Sequence, residues 1–128
     1  MEDWLRAALI TWLRNDSSLE PFNAIEEESP LSVSPPWLGL AASAASDWST
    51  KTRRGREVRI ALEIEVRSDR SDDLAALSLA VEHSVLSLPR TQASFEVASI
   101  AFLRSRSERR PRNRRAALLE FRFRLFEL

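Results

Sequence analysis

The chain has 128 residues, 44% of them hydrophobic and 30% charged, with a formal net charge of zero, a size and composition that fit one globular domain spanning residues 1–128. It has no cysteine and a single histidine, His83, which excludes disulfides, thiolate metal sites and a histidine-rich metal centre. No apolar run reaches the length of a membrane span, and Met1-Glu2-Asp3 lacks the basic start of a secretory leader, so the chain is expected to stay where it is made, with no membrane partner.

Glu2 to Asn15 is predicted to be an amphipathic helix. Trp4, Leu5, Ala8, Leu9, Trp12 and Leu13 recur at one-turn spacing and form one stripe. Glu2 and Asp3 sit in the first turn and Arg14 in the last, the ends where the helix dipole favours acids and bases respectively. Trp4 and Trp12 are expected in the core rather than in a binding surface.

Asp16 to Pro36 is expected to be mostly loop, because Pro21, Pro30, Pro35 and Pro36 interrupt it. Within it, Phe22 to Ile25 can form a short strand. Glu26-Glu27-Glu28 reads as a solvated acidic turn, with a basic partner or a cation as the alternative. Trp37 to Leu40 reads as a short buried strand that the small residues Ala41 to Ser46 can extend.

Arg56 to Arg67 alternates strictly. Val58, Ile60, Leu62, Ile64 and Val66 share one face, and Glu57, Arg59, Ala61, Glu63, Glu65 and Arg67 share the other. The charged face suits cross-strand pairing or a subunit contact. Glu63 and Glu65 carry no sign of acid–base chemistry on such a face. A second helix opens at Ser71-Asp72-Asp73, with Ser71 as N-cap, and buries Leu74, Leu77, Val81, Val85 and Leu88 before Pro89. His83 falls off this stripe and is expected at the surface, without a nucleophile or acid to work with.

Phe95 to Arg104 and Ala116 to Leu128 are predicted strands, joined as an antiparallel hairpin through the basic segment "SRSERRPRNRR", Ser105 to Arg115. The fold class is therefore α+β: one mostly antiparallel sheet, two helices on one face, and a long basic hairpin between the last two strands. Only Gly39 and Gly55 are glycines, so no phosphate-cradling loop can be written. No nucleophile elbow or metal-ligand spacing appears. Neither an enzyme nor a cofactor is expected.

Two features point to binding. The first is the polar loop "DWSTKTRRG" ahead of the alternating strand, with Trp48, Lys51, Arg53 and Arg54. The second is the arginine tip, Arg106, Arg109, Arg110, Arg112, Arg114 and Arg115, with Arg104 beside it. The tip can dock on an acidic neighbour, remain solvated, or neutralise nucleic-acid phosphates. Docking ranks first, and the nucleic-acid module is the alternative function; the absence of an aromatic in the tip argues against single-strand stacking. Charge is also segregated. Residues 1–50 hold eight acids and two bases, net −6, and the rest of the chain is net +6. Either the fold averages this out or it faces an oppositely charged surface, such as another copy.

The segment order resembles the small tail-completion proteins of long-tailed phages and gene transfer agents, long catalogued as a domain of unknown function. "MEDWLRAALITWLRND" resembles the family's opening helix, "PPWLGL" its Pro-aromatic-apolar-Gly strand, and "DWSTKTRRGREVRIALEIEV" its polar loop, glycine and alternating strand. The helix after "RSDRSDD" and the closing basic hairpin also fit. The resemblance implies a tail terminator: a closed homo-oligomeric ring, usually hexameric, on the head-proximal end of the tail tube. Such a ring stops tube polymerisation and offers a surface to the head-completion or connector proteins. Its place is the head–tail junction of a virion or virus-like particle, after assembly in the host cytoplasm, and DNA only passes through its lumen. Under this reading Trp48, Lys51, Arg53 and Arg54 meet a neighbouring subunit or tail protein, with Trp48 folding back as a lid on the core as the equal alternative, and the arginine tip docks on another ring or lines the lumen.

Overall fold

In the computed structural model, residues 1–30 and 32–128 are described. Leu31, inside the segment expected as loop, lies outside them. The order of elements is α1 (Glu2–Arg14), a 3-10 turn (Ser17–Leu19), β1 (Ala24–Glu26), β2 (Trp37–Asp47), β3 (Gly55–Arg67), α2 (Ser71–Leu86), β4 (Phe95–Arg110) and β5 (Arg114–Glu127). The strands form one sheet in the order β1-β2-β3-β5-β4. Among the described residues only the β1–β2 pair is parallel; the other strand pairs are antiparallel.

The alternating strand is the middle of the sheet. Its apolar residues Val58, Ile60, Leu62 and Ile64 stand opposite Phe123, Phe121, Leu119 and Ala117 of β5. All eight are buried, together with Leu38 and Leu40 of β2. Both helices cover this face. Leu5, Leu9 and Leu13 of α1, one turn apart, and Leu74, Val81 and Val85 of α2 complete the core. Each such side chain contributes roughly 1.5–3 kcal/mol by leaving water. The helices are tied together where the Trp12 indole N–H donates to the Ser84 carbonyl at 2.8 Å.

Four expectations are corrected. Trp4 is 41% exposed rather than buried, because it lies at the margin of the leucine stripe. Ser71 is not the cap of α2: it is the first helical residue, and Arg70 precedes it without a side-chain cap. The short strand near Phe22 starts two residues later, at Ala24. The largest difference is the basic segment Ser105 to Arg115. It is strand through Arg110 and again from Arg114, and only Pro111, Arg112 and Asn113 turn. Arg112 and Asn113 take positive φ, 62° and 59°, the left-handed conformation a tight hairpin turn demands.

Candidate subunit and tail-protein interfaces

The loop 48–54 folds back on the sheet. The Trp48 N–H donates to the Gly55 carbonyl at 3.0 Å, and the Thr50 N–H to the Arg53 carbonyl at 2.9 Å. The Thr50 hydroxyl accepts from the Arg53 N–H at 3.0 Å. Gly55 permits this closure: a Cβ there would stand 2.4 Å from the Trp48 oxygen and 3.0 Å from the Leu125 oxygen. Trp48 is half-buried. Its ring lies 4.9 Å from that of Phe126, and the Arg124 guanidinium stands 5.4 Å over it. Arg53 covers Phe126 at 4.2 Å and pairs with Glu96 at 3.6 Å. Arg54 pairs with Glu127 at 3.6 Å. Lys51 is exposed and makes no ion pair among the described residues, so it is the cation this loop presents.

The arginine tip is at the far end of the same strands. β3 runs 13 residues from Gly55 to Arg67, roughly 40 Å at about 3.3 Å per residue. The two predicted clusters are therefore separate surfaces, one at each end of the sheet.

Within the tip the arginines divide into two groups. Arg110 and Arg114 turn inward on the face away from the helices. Arg110 holds Glu63 and Glu65, both at 2.7 Å, and Glu108 at 3.0 Å. Arg114 reaches the other oxygen of Glu65 at 3.2 Å. Glu65 is only 3% exposed, and the two guanidiniums keep its charge matched. Burial works against the Arg110 cation, yet its hydrogen bonds to Glu65, Glu63 and Glu108 outweigh that and push its pKa above the ordinary arginine value. Arg115 donates to the Ser68 and Asp69 carbonyls at 3.2 and 3.4 Å, and Asn113 to the Asp69 carboxylate at 2.8 Å, which fastens the turn to the end of β3. Arg106, Arg109 and Arg112 are exposed and have no ion pair among the described residues. Beside them, Arg104 holds Glu120 at 2.5 Å.

The sheet order turns the charge pattern of the sequence into a spatial one. α1, β1 and β2, which carry the acidic first part of the chain, lie at one side; the arginine-rich β4 closes the other. The segregation is thus kept in the fold. Each side also ends in an unpaired strand edge. β1 covers β2 only at Trp37, Leu38 and Gly39, and no backbone partner stands outside Leu40 to Asp47 among the described residues. On the other side, residues 90–92 cover the start of β4, with Val97 N–H donating to the Arg90 carbonyl at 2.7 Å and Gln92 N–H to the Phe95 carbonyl at 3.0 Å. Beyond Val97 the outer edge of β4 has no backbone partner among the described residues. An open edge is a ready template for another strand. The β2 edge and the acids around it were not among the predicted site residues. The signals for them were the charge segregation and the acidic run Glu26-Glu27-Glu28, for which a basic partner is the alternative reading.

Comparison with known proteins agrees with this architecture. The chain shares its fold with a chain of the "Virion of native gene transfer agent (GTA) particle", one of 24 matching chains of solved structures, with a TM-score of 0.80, 21% identity, and 97% and 95% of the two chains covered. A search of curated proteins returns no match. The family model described as "Tail completion protein gp17" matches residues 7–125, nearly the whole chain, and the protein belongs to that family.

Proposed function

We propose that the chain is a tail terminator, a structural protein without catalytic activity whose residues 1–128 act as one domain. Copies form a closed ring, a hexamer in the particle, on the head-proximal end of the tail tube at the head–tail junction. The ring stops tube polymerisation and offers a surface to the head-completion proteins, and DNA passes through its lumen. The observation that carries this reading, beside the family, is the polarity of the subunit. A closed ring needs a heterologous contact, in which one side of a subunit meets a different side of the next. Here an acidic side and a basic side flank one sheet, each with an open edge.

One end of the sheet supplies an axial contact. The Trp48 loop, with Lys51, Arg53 and Arg54, meets the tail tube or the head-completion protein, and the turn around Arg112, at the other end, meets the neighbouring subunit. The test is light scattering of the purified protein, alone and mixed with its tail-tube protein, alongside tube lengths in electron micrographs. A discrete ring-sized species and tubes that shorten as the protein is added are expected. A monomer that leaves tube growth untouched overturns the reading.

A further inference from the structure

We propose that copies of this chain join by strand pairing, the outer edge of β2 in one copy adding antiparallel to the outer edge of β4 in the next. The inference rests on the ring reading above and supplies its interface.

Three properties of the edges support it. The first is availability. After its bulge β2 runs regularly from Ala42 to Asp47, and after its second bulge β4 runs regularly from Arg104 to Arg110. These are the stretches left open: β1 closes β2 above Leu40, and residues 90–92 close the start of β4. The second is direction. β2, β3, β5 and β4 alternate in sense across the sheet, so β2 and β4 run oppositely. Rotation about a ring axis preserves sense along that axis, so the β2 edge meets the neighbouring β4 edge antiparallel.

The third is side-chain fit. Ser43, Ala45 and Asp47 lie on the helix side of β2, and Ser105, Ser107 and Arg109 on the helix side of β4. Keeping faces in phase, with all of Ala42 to Asp47 paired inside the open stretch Arg104 to Arg110, places Ser43 opposite Arg109, Ala45 opposite Ser107 and Asp47 opposite Ser105. On the open face Ala42, Ala44 and Ser46 then meet Arg110, Glu108 and Arg106. The small side chains of β2 leave room for the long ones of β4. The Ser43 hydroxyl donates to the Glu2 carboxylate at 2.5 Å, so Arg109, which has no acid of its own, arrives beside Glu2.

This register has two further consequences. The turn at Arg112 stops against the lower end of β1, where Glu26, Glu27 and Glu28 are exposed. Glu28 has no ion pair among the described residues, so Arg112 and Glu28 can complete each other. The register also fixes the stagger. Ala42 shares a row with Ala61, Glu120 and Arg104, whereas Arg110 shares one with Arg67 and Arg114, six residues further along β3. Six residues advance roughly 20 Å while the four strands of one copy span roughly 19 Å. The resulting tilt is about 45°, within the range a closed sheet requires.

The chain has no cysteine, so a disulfide reports this contact directly. Ala45→Cys and Ser107→Cys are placed together in one chain, and the variant is oxidised alone and with the tail-tube protein, with light scattering on the same samples. Inside one copy the two positions are three strand spacings apart, more than about 14 Å, beyond the reach of a disulfide. A ladder of covalent oligomers ending at the ring is expected. A mixture of the two single variants should stop at covalent dimers. Arg109→Glu should abolish self-association and Glu2→Arg should restore it in that background. Self-association without the 45–107 disulfide overturns the edge contact and leaves the ring reading standing. No self-association in either sample overturns both.

Discussion

Removing the Arg110 side chain tests whether the open face of the sheet is held by charge. In the native fold its guanidinium bridges Glu63, Glu65 and Glu108, and Glu65 is 3% exposed. Breaking a buried ion pair by deleting one partner costs about 3–5 kcal/mol, since the surviving charge stays desolvated. Here Arg114 remains on Glu65 at 3.2 Å, the Arg110 side chain itself is 23% exposed, and Glu63 keeps the Ser29 hydroxyl at 2.5 Å. These offsets bring the expected loss for Arg110→Ala to about 2 kcal/mol. For a domain this size that moves a urea midpoint down by about 1 M at unchanged slope. Glu65→Gln, which removes the charge but keeps the shape, should cost about 1 kcal/mol, and the double variant should lose less than the two singles together. An Arg110→Ala loss under about 0.5 kcal/mol, with additive doubles, would mean that the cluster behaves as an ordinary surface ion pair, and the reasoning would fail.

Gly55→Ala should destabilise by about 3 kcal/mol, because the new methyl meets backbone oxygens on two sides and neither can swing away; calorimetry reads this as a lowered Tm. Trp4→Ala should leave stability within about 0.5 kcal/mol of the parent, as expected of an exposed side chain. Trp48→Ala should cost about 1–2 kcal/mol through lost burial and the lost stack on Phe126, so equal effects in the same denaturation series would contradict their different placement. The Arg104 guanidinium holds the Glu120 carboxyl below its ordinary value of 4.5. A group depressed in the fold stabilises at neutral pH, and that contribution disappears as the pH falls through the folded value. An NMR titration of Glu120 should show the lowered midpoint, and Arg104→Gln should raise it.

What the sequence made legible was whatever carries an apolar beat. Val58 to Val66 alternates and Leu5, Leu9 and Leu13 recur at helical spacing, and these fixed the sheet, the helices and the covered face. Arg104 to Glu108 alternates too, serine with arginine or glutamate, but neither face is apolar, so the period was hidden in what looked like a loop. The backbone ladder with β5 holds that stretch as strand. Ala41 to Ser46 reads only as a stretch that can extend the Trp37 strand, since small residues on both faces give no contrast, and β2 does continue through them to Asp47. The long reach of arginine accounts for the rest. Arg110 meets Glu65, 45 positions away, a pairing that linear charge counts cannot express. Such counts did carry the polarity of the whole subunit, because the N-terminal elements lie at one side of the sheet and β4 at the other.

That division of the arginines also weighs the rival function. Seven arginines lie between Arg104 and Arg115. If all of them met duplex phosphates, binding would weaken with log salt at a slope of about −6, near −0.9 per phosphate. In the fold Arg104, Arg110 and Arg114 are ion-paired and Arg115 is bound to carbonyls. Arg106, Arg109 and Arg112 remain, which limits the slope to about −2.7. They also point in different directions, since Arg106 is on the open face, Arg109 on the helix side and Arg112 in the turn. One duplex cannot lie against all three at once, whereas a neighbouring subunit that runs along the edge can. Fluorescence anisotropy with a short duplex across a salt series should therefore show only weak binding, with a slope no steeper than about −3. A slope near −6 would require the ion pairs of the hairpin to open for DNA, and would move the cationic edge from subunit contact to nucleic-acid binding.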